Sequence, residues 1–391
     1  MLVEPRSATD APAPDGGFVA WSLDYFQAYY ETDYPSWTSS QISWIGSIQA
    51  FFLFGFSIVA GLVIDRGYLR YLVWIGCFLC VLATMLTSIS SEYWHFILAQ
   101  GVMFGIGSGL FIPALLCFQL ILTRNKHRLW ELQLLVFAGG MVFPIVFNHL
   151  QPRIGFGWSI CVVGFIILFA ATIPVLGIHV RTPPSAVRKI FDTKAGKEPP
   201  FLVTSAYIPP FYVQLYALDT NIVGGDLVPY LSSLLNAGSF FGRIIPTHFA
   251  DTYGPFNIDV ICVLVSGILA FTWITIHSTA SMILSTISYG FFSGVLTSIY
   301  PNLGIALSPD AGVLSFRLGM LLMPISAGIL VVNLTAGALE SYGWISLQIF
   351  TAALLTASLL VVIVARILMY GKSLTIRCSK TNVCCHHFTP R

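Results

Sequence analysis

Eleven runs of about twenty apolar residues leave this 391-residue chain few folds to choose from; they lie near 42–64, 71–89, 95–122, 132–150, 158–180, 201–218, 227–249, 260–276, 281–308, 318–339 and 344–365. A helix of that length, rising about 1.5 Å per residue, crosses a hydrocarbon core of about 30 Å with every interior backbone group bonded inside the segment. The runs at 95–122 and 281–308 exceed that length and imply tilt or extension past the bilayer. Composition agrees, with 56% hydrophobic and 9% charged residues, against roughly 25% charged in an ordinary soluble domain. So few charges cannot cover a water-exposed surface of this size. The expected fold class is an all-α membrane protein.

The charges are sparse, but their distribution is informative. Lys and Arg are retained in cytoplasmic connections. Connections that share one side hold Arg66 and Arg70; Arg124, Lys126 and Arg128; Arg181, Arg188, Lys189, Lys194 and Lys197; Arg317; and the five basic residues after 365. The opposing connections hold only Arg153. Sixteen basic residues against one place the C-terminus and the 181–200 connection in the cytoplasm, and a wrong span count would scramble the bias. With 16–30 as a short twelfth span, the chain divides into a tail at 1–15, a helical half at 16–180, the basic connection at 181–200, a second half at 201–365 and a tail at 366–391. The net charge of +2 is scattered over loops, which gives nucleic acid no footprint. Of the eight Cys, five fall inside apolar runs, so no disulfide framework is implied.

Two six-helix halves joined by a basic loop resemble the major facilitator superfamily, whose halves are related repeats. After the 42–64 run comes Gly61, then Asp65-Arg66-Gly67 and Arg70, which resembles the loop signature of that superfamily. Asp251 and Gly254 look like its weakened second copy. Glycine lets helix ends approach there, while Asp65 and the arginines can pair with each other or with helix termini across the seam. A closer resemblance is to fungal monocarboxylate-transporter-like proteins, through Pro14-Asp15-Gly16-Gly17 before the first helix and through SWIGSIQAFF at 43–52, PRIGFGW at 152–158, FGRIIP at 241–246, YGFFSG at 289–294 and ALSPD at 306–310. The chain departs from that pattern in three places. Residues 16–30 make a helix of only about 22 Å, the 201–218 run is short and holds Pro209-Pro210, and 123–135 does not follow the family's connection.

Arg243 is the single cation well inside an apolar run, where a charge costs a few kcal/mol unless it faces a wet cavity or a partner. The resemblance makes it a carboxylate anchor, whereas the structural alternative is a side chain that snorkels to the nearby helix end. Animal relatives place an acid one turn earlier; here Ser239 stands there, so proton coupling through such a pair does not carry over. Asp24 is either a proton acceptor or solute contact, or a solvated carboxylate if 16–30 lies outside the bilayer. Asn236, Tyr212 and Gln214 are candidate solute contacts, with interhelical hydrogen bonds as the alternative. The glycines of GVMFGIGSG at 101–109 lack the flanking strand and Lys of a nucleotide loop and read as helix packing. Cys378, Cys384, Cys385, His386 and His387 lack a usual zinc spacing and read as a juxtamembrane tail open to acylation. Asn333 sits in a glycosylation pattern inside a span.

The residues imply no cofactor, no metal and no catalytic cluster. The resemblance implies a transporter of a small monocarboxylate or similar organic anion by alternating access, in the plasma membrane, with a co-transported proton as a further partner. Export of a fungal secondary metabolite is the second reading, and a degenerate, non-transporting, sensor-like relative is the third.

Overall fold

The computed structural model describes residues 36–111, 149–169, 227–307 and 342–370, with shorter pieces at 30, 34, 146–147, 172, 216, 220, 222–224, 316, 319–320, 322–323, 326–331, 335 and 339. Regular structure among these is helical, without strands. Seven helices are long and apolar enough to cross a membrane: Gln41–Asp65, Leu69–Ser88, Tyr93–Phe111, His149–Phe169, Phe256–Thr275, Thr279–Leu296 and Trp344–Ile367. We label the helices α1 (Ser39–Asp65), α2 (Leu69–Ser88), α3 (Tyr93–Phe111), α4 (His149–Phe169), α5 (Val228–Tyr253), α6 (Pro255–Thr272), α7 (Thr279–Leu307) and α8 (Trp344–Tyr370). The fold is that of an all-α, multi-pass membrane protein.

Local chemistry sets the helix ends. Thr38 starts α1: its hydroxyl accepts from the Gln41 amide at 3.3 Å, and its own amide donates to the Gln41 side chain at 2.9 Å. This reciprocal pair satisfies N–H groups that have no intrahelical acceptor. At the other end Gly67 takes φ 88°, and the amides of Gly67 and Tyr68 donate to Ile64 and Val63. That pair of bonds needs a left-handed residue. Gly254, at φ 87°, makes a one-residue turn between α5 and α6.

Three boundaries differ from the sequence reading. Residues 149–169 are helical across the expected connection at 151–157, and a left-handed Gly155 redirects the chain within them. Helix α5 continues to Tyr253 rather than 249. Helix α8 runs to Tyr370, so Arg366 lies within it, 9% exposed, instead of beginning the tail.

Two apolar clusters lie at the ends of the helices opposite the basic loops. One gathers Tyr30, Ile42, Phe96, Phe147 and Ile160; the other gathers Tyr216, Leu231, Trp273, Met282 and Leu347. A third cluster, with Phe256, Val263, Val295, Leu296 and Val362, fills the basic-loop end of α6, α7 and α8. Phe78, Trp158, Phe169, Leu284 and Leu360 point outward. Those side chains suit a lipid solvent, which does not penalise apolar surface.

Helix pairs α1/α3 and α5/α7 bring backbones together through glycine, as residues 101–109 predict for the first pair. A Cβ added to Gly105 would stand 2.8 Å from the Gln49 carbonyl, and one on Gly109 would stand 2.7 Å from that of Leu53. In the second pair the glycines are reciprocal. Gly238 and Gly242 of α5 abut the Ile287 and Phe291 carbonyls, while Gly290 and Gly294 of α7 abut those of Leu235 and Ser239. Such contacts replace side-chain interdigitation with backbone proximity, the usual solution where lipid removes any hydrophobic drive between helices.

Candidate functional site

The basic-loop end of α1 touches the second half of the chain. The Asp65 carboxylate accepts a hydrogen bond from the Phe316 amide at 3.1 Å, linking residues 251 positions apart. Further along α1, Ile58 and Ser57 lie against Gly319, where a Cβ would collide with α1 backbone. Next, a Cβ on Gly55 would meet the Ser326 hydroxyl at 3.6 Å, and Ala50 packs with Ile329, flanked by Phe54 and Leu322. As the number falls on α1 it rises on the partner, so the two segments run antiparallel. An ionised carboxylate accepting a backbone N–H is a charge-assisted bond. The arrangement can therefore hold two parts of the molecule together at one end and release them without breaking a helix.

The other members of the loop motif serve this contact differently. Gly61 is buried, Gly67 turns the chain, and Arg66 and Arg70 are exposed. In the second copy, Asp251 lies in the last turn of α5 and Gly254 is the positive-φ turn.

Arg243 stands ten residues before the end of α5, about 15 Å along the axis. This is deeper than the sequence reading allows and disfavours snorkelling past the helix end. The residue is half-buried. Asn236 and Ser239, each 4% exposed, precede it at helical spacing that puts all three on one side of α5. Pro246 follows inside the helix, and its missing N–H frees the Gly242 carbonyl one turn back. A cation, an amide and a hydroxyl along one stretch suit a polar, anionic solute group better than an apolar one. Asp24, Tyr212 and Gln214 lie outside the described residues, as do the 181–200 connection and the Cys/His tail.

Other polar groups escaped the sequence reading. The Tyr30 hydroxyl donates to the Gln100 side chain at 2.6 Å, and the Gln100 amide donates to Gln49 at 3.5 Å; all three residues are at most 4% exposed. Gln100 falls within a π-helical stretch of α3, Ile97–Phe104, a geometry frequent at functional sites. Its signal was an amide side chain inside an apolar run. Asp259, 5% exposed, sits one turn inside α6, just before the apolar run that periodicity marks. Arg366 donates through Nε to Asn257 at 2.9 Å, joining α8 to α6. Among the described residues, no three His, Cys, Asp or Glu side chains gather as metal ligands do.

No protein-family model matches the chain. Curated fungal proteins do match it, over most of their own lengths. MFS-type transporter 1 of an Ophiocordyceps species is 35% identical over 402 aligned residues, covering 92% of this chain and 88% of its own. MFS transporter asaE of Aspergillus flavus is 33% identical, with 95% and 92% covered. The aspyridones efflux protein apdF of Emericella nidulans is 32% identical, with 90% and 78% covered. The first of these alignments is longer than the 391-residue chain, so that relative has residues with no counterpart here.

Proposed function

The chain belongs to the major facilitator superfamily, and on that premise we propose that it exports a small organic metabolite, with Arg243 holding the solute's acidic group. Arg243 carries the proposal: it lies deep in a helix, on one side with Asn236 and Ser239. A half-buried guanidinium at that depth recognises carboxylate and enolate oxygens through paired donors. Relatives named as efflux proteins for aspyridones and fujikurins support export over uptake. The solute class is accordingly an organic acid of metabolite size, wider than the monocarboxylates that the sequence resemblance suggests.

In this reading the two halves, 16–180 and 201–365, rock about a midplane site. Asp65 latches the basic-loop end by holding the Phe316 amide, and Gly67 turns the chain beside that seam. We place the C-terminus in the cytoplasm from the loop charges and the protein in the plasma membrane. A proton is the natural driving ion, yet Ser239 in place of an acid means that any proton would be carried elsewhere. Asp24, Tyr212 and Gln214 remain solute-contact candidates on the sequence alone.

The test is efflux from yeast cells preloaded with labelled benzoate, lactate or a larger aromatic acid, each compared with a neutral amide of similar size. The expected result is efflux of at least one acid, reduced about tenfold or more by Arg243→Ala, equivalent to about 1.4 kcal/mol. Unchanged efflux of that acid in Arg243→Ala at equal surface expression removes the assigned role.

A further inference from the structure

Two turns of like geometry lead into unlike interiors. Gly67, at φ 88°, turns the chain into α2, and Gly254, at φ 87°, turns it into α6. Counted from these glycines, residue 259 matches Leu72; counted from the helix starts at Leu69 and Pro255, it matches Val73. Either counterpart is a buried aliphatic side chain, 4% or 0% exposed, whereas α6 holds an acid, Asp259, that is 5% exposed. Asp259 is the fifth residue of α6, about 6 Å along its axis and on one face with Phe256 and Val263. Those two belong to an apolar cluster with Val295 and Leu296 of α7 and Val362 and Ala365 of α8, and Met320 packs against it. Met320 follows Gly319, which abuts α1 at the seam between the halves. One segment therefore both closes that seam and covers the cluster that flanks Asp259.

Among the described residues, no hydrogen bond or ion pair reaches the Asp259 carboxyl. The charged and titratable side chains described on the surrounding elements supply no partner. Arg366 of α8 gives its Nε hydrogen to Asn257, Tyr253 at the end of α5 is exposed, Arg243 lies about 15 Å from that end, and Cys262, one turn along α6, is a thiol. Burying an ionised carboxylate without a partner is strongly disfavoured; a proton or access to water relieves it. An acid set where an aliphatic side chain completes the packing points to function.

We propose that Asp259 is a proton-binding site that governs the seam: the neutral acid belongs to the closed basic-loop end, held here by Asp65 and the Phe316 amide, and the carboxylate belongs to the open one. On opening, Met320 withdraws and water reaches α6. The Asp259 O–H bond breaks, its electron pair stays on the carboxylate and the proton passes to water. Acid on the basic-loop side thus holds the seam shut.

The experiment places full-length protein carrying Gly55→Cys and Ser326→Cys in liposomes and takes infrared spectra across a pH series. The carbonyl stretch of the protonated Asp259 carboxyl is identified by its loss in Asp259→Asn. The expected band persists to higher pH, by about one unit or more, in the oxidised, cross-linked protein than in the reduced one. The reciprocal readout is alkylation of Gly55→Cys alone, its rate divided at each pH by the rate with Asp259→Asn added, so that the thiol's own titration cancels. That ratio is expected to rise about tenfold from about pH 6 to about pH 9. Should Asp259→Asn not fold, Asp259→Leu, which gives α6 the kind of side chain α2 carries, replaces it. A missing Asp259 band, a band indifferent to the cross-link or a flat rate ratio overturns the proposal. Only its consequence for efflux rests on the export reading: a protein that moves no acid yet shows both effects tells against export and supports the switch.

Discussion

The α1/α3 and α5/α7 pairs solve one packing problem in two ways. In the first pair Gly101, Gly105 and Gly109 of α3 abut α1, and a tyrosine and two glutamines tie the interior together. In the second pair glycines face each other from both helices, and Leu235 stands against Gly290 where Gln49 stands against Gly105. Directional bonds define one relative position sharply, whereas backbone contacts through glycine tolerate small shifts along the helix. The helix that carries Arg243 and Pro246 belongs to the second kind. The difference teaches that the fixed and the adaptable parts of this bundle are set by what fills the space beside the glycines, not by the glycines themselves.

Breaking the second pair should have the largest effect. Gly290→Leu drives a side chain into the Leu235 carbonyl, beyond the usual 1–3 kcal/mol of overpacking, and should leave little monodisperse protein on size-exclusion chromatography. Next comes the polar chain of the first pair. Gln100→Leu removes the acceptor of the Tyr30 hydroxyl and should cost about 1–3 kcal/mol, read as a lower melting temperature in detergent; an unchanged melting temperature would mean that the amides do not fix this half. Asp65→Ala should cost about 1–2 kcal/mol of the contact between halves, read as faster alkylation of a cysteine placed at Gly55. Gly67→Ala should be mildest, about 1 kcal/mol for a left-handed residue with a Cβ, visible as a small drop in melting temperature with efflux retained.

Most of the fold could be read in advance because lipid demands long apolar helices, and hydropathy reports that demand residue by residue. The ends were harder. Asp251 looks like a loop residue, yet α5 continues through it to Tyr253, and this moves Arg243 deeper than its sequence position suggests. Arg366 reads as tail, but Asn257 on a neighbouring helix holds it within α8. At the candidate site, the spacing of Asp65, Gly67 and Arg70 is visible in the sequence, and Gly67 earns its place by a backbone angle. The partner of Asp65 is not visible, because no periodicity relates residue 65 to the amide of residue 316. Gln100 was equally hidden: its meaning comes from Tyr30 and Gln49, which lie 70 and 51 positions away.

The central claim is that the halves meet along α1 and the 316–331 segment and must part there for a solute to pass. Cysteines at Gly55 and Ser326, whose side chains face each other across that seam, can be joined by oxidation in membrane vesicles, with each single substitution as control. The account predicts that the cross-link stops efflux and that reduction restores it; full-rate efflux with the cross-link complete would contradict it.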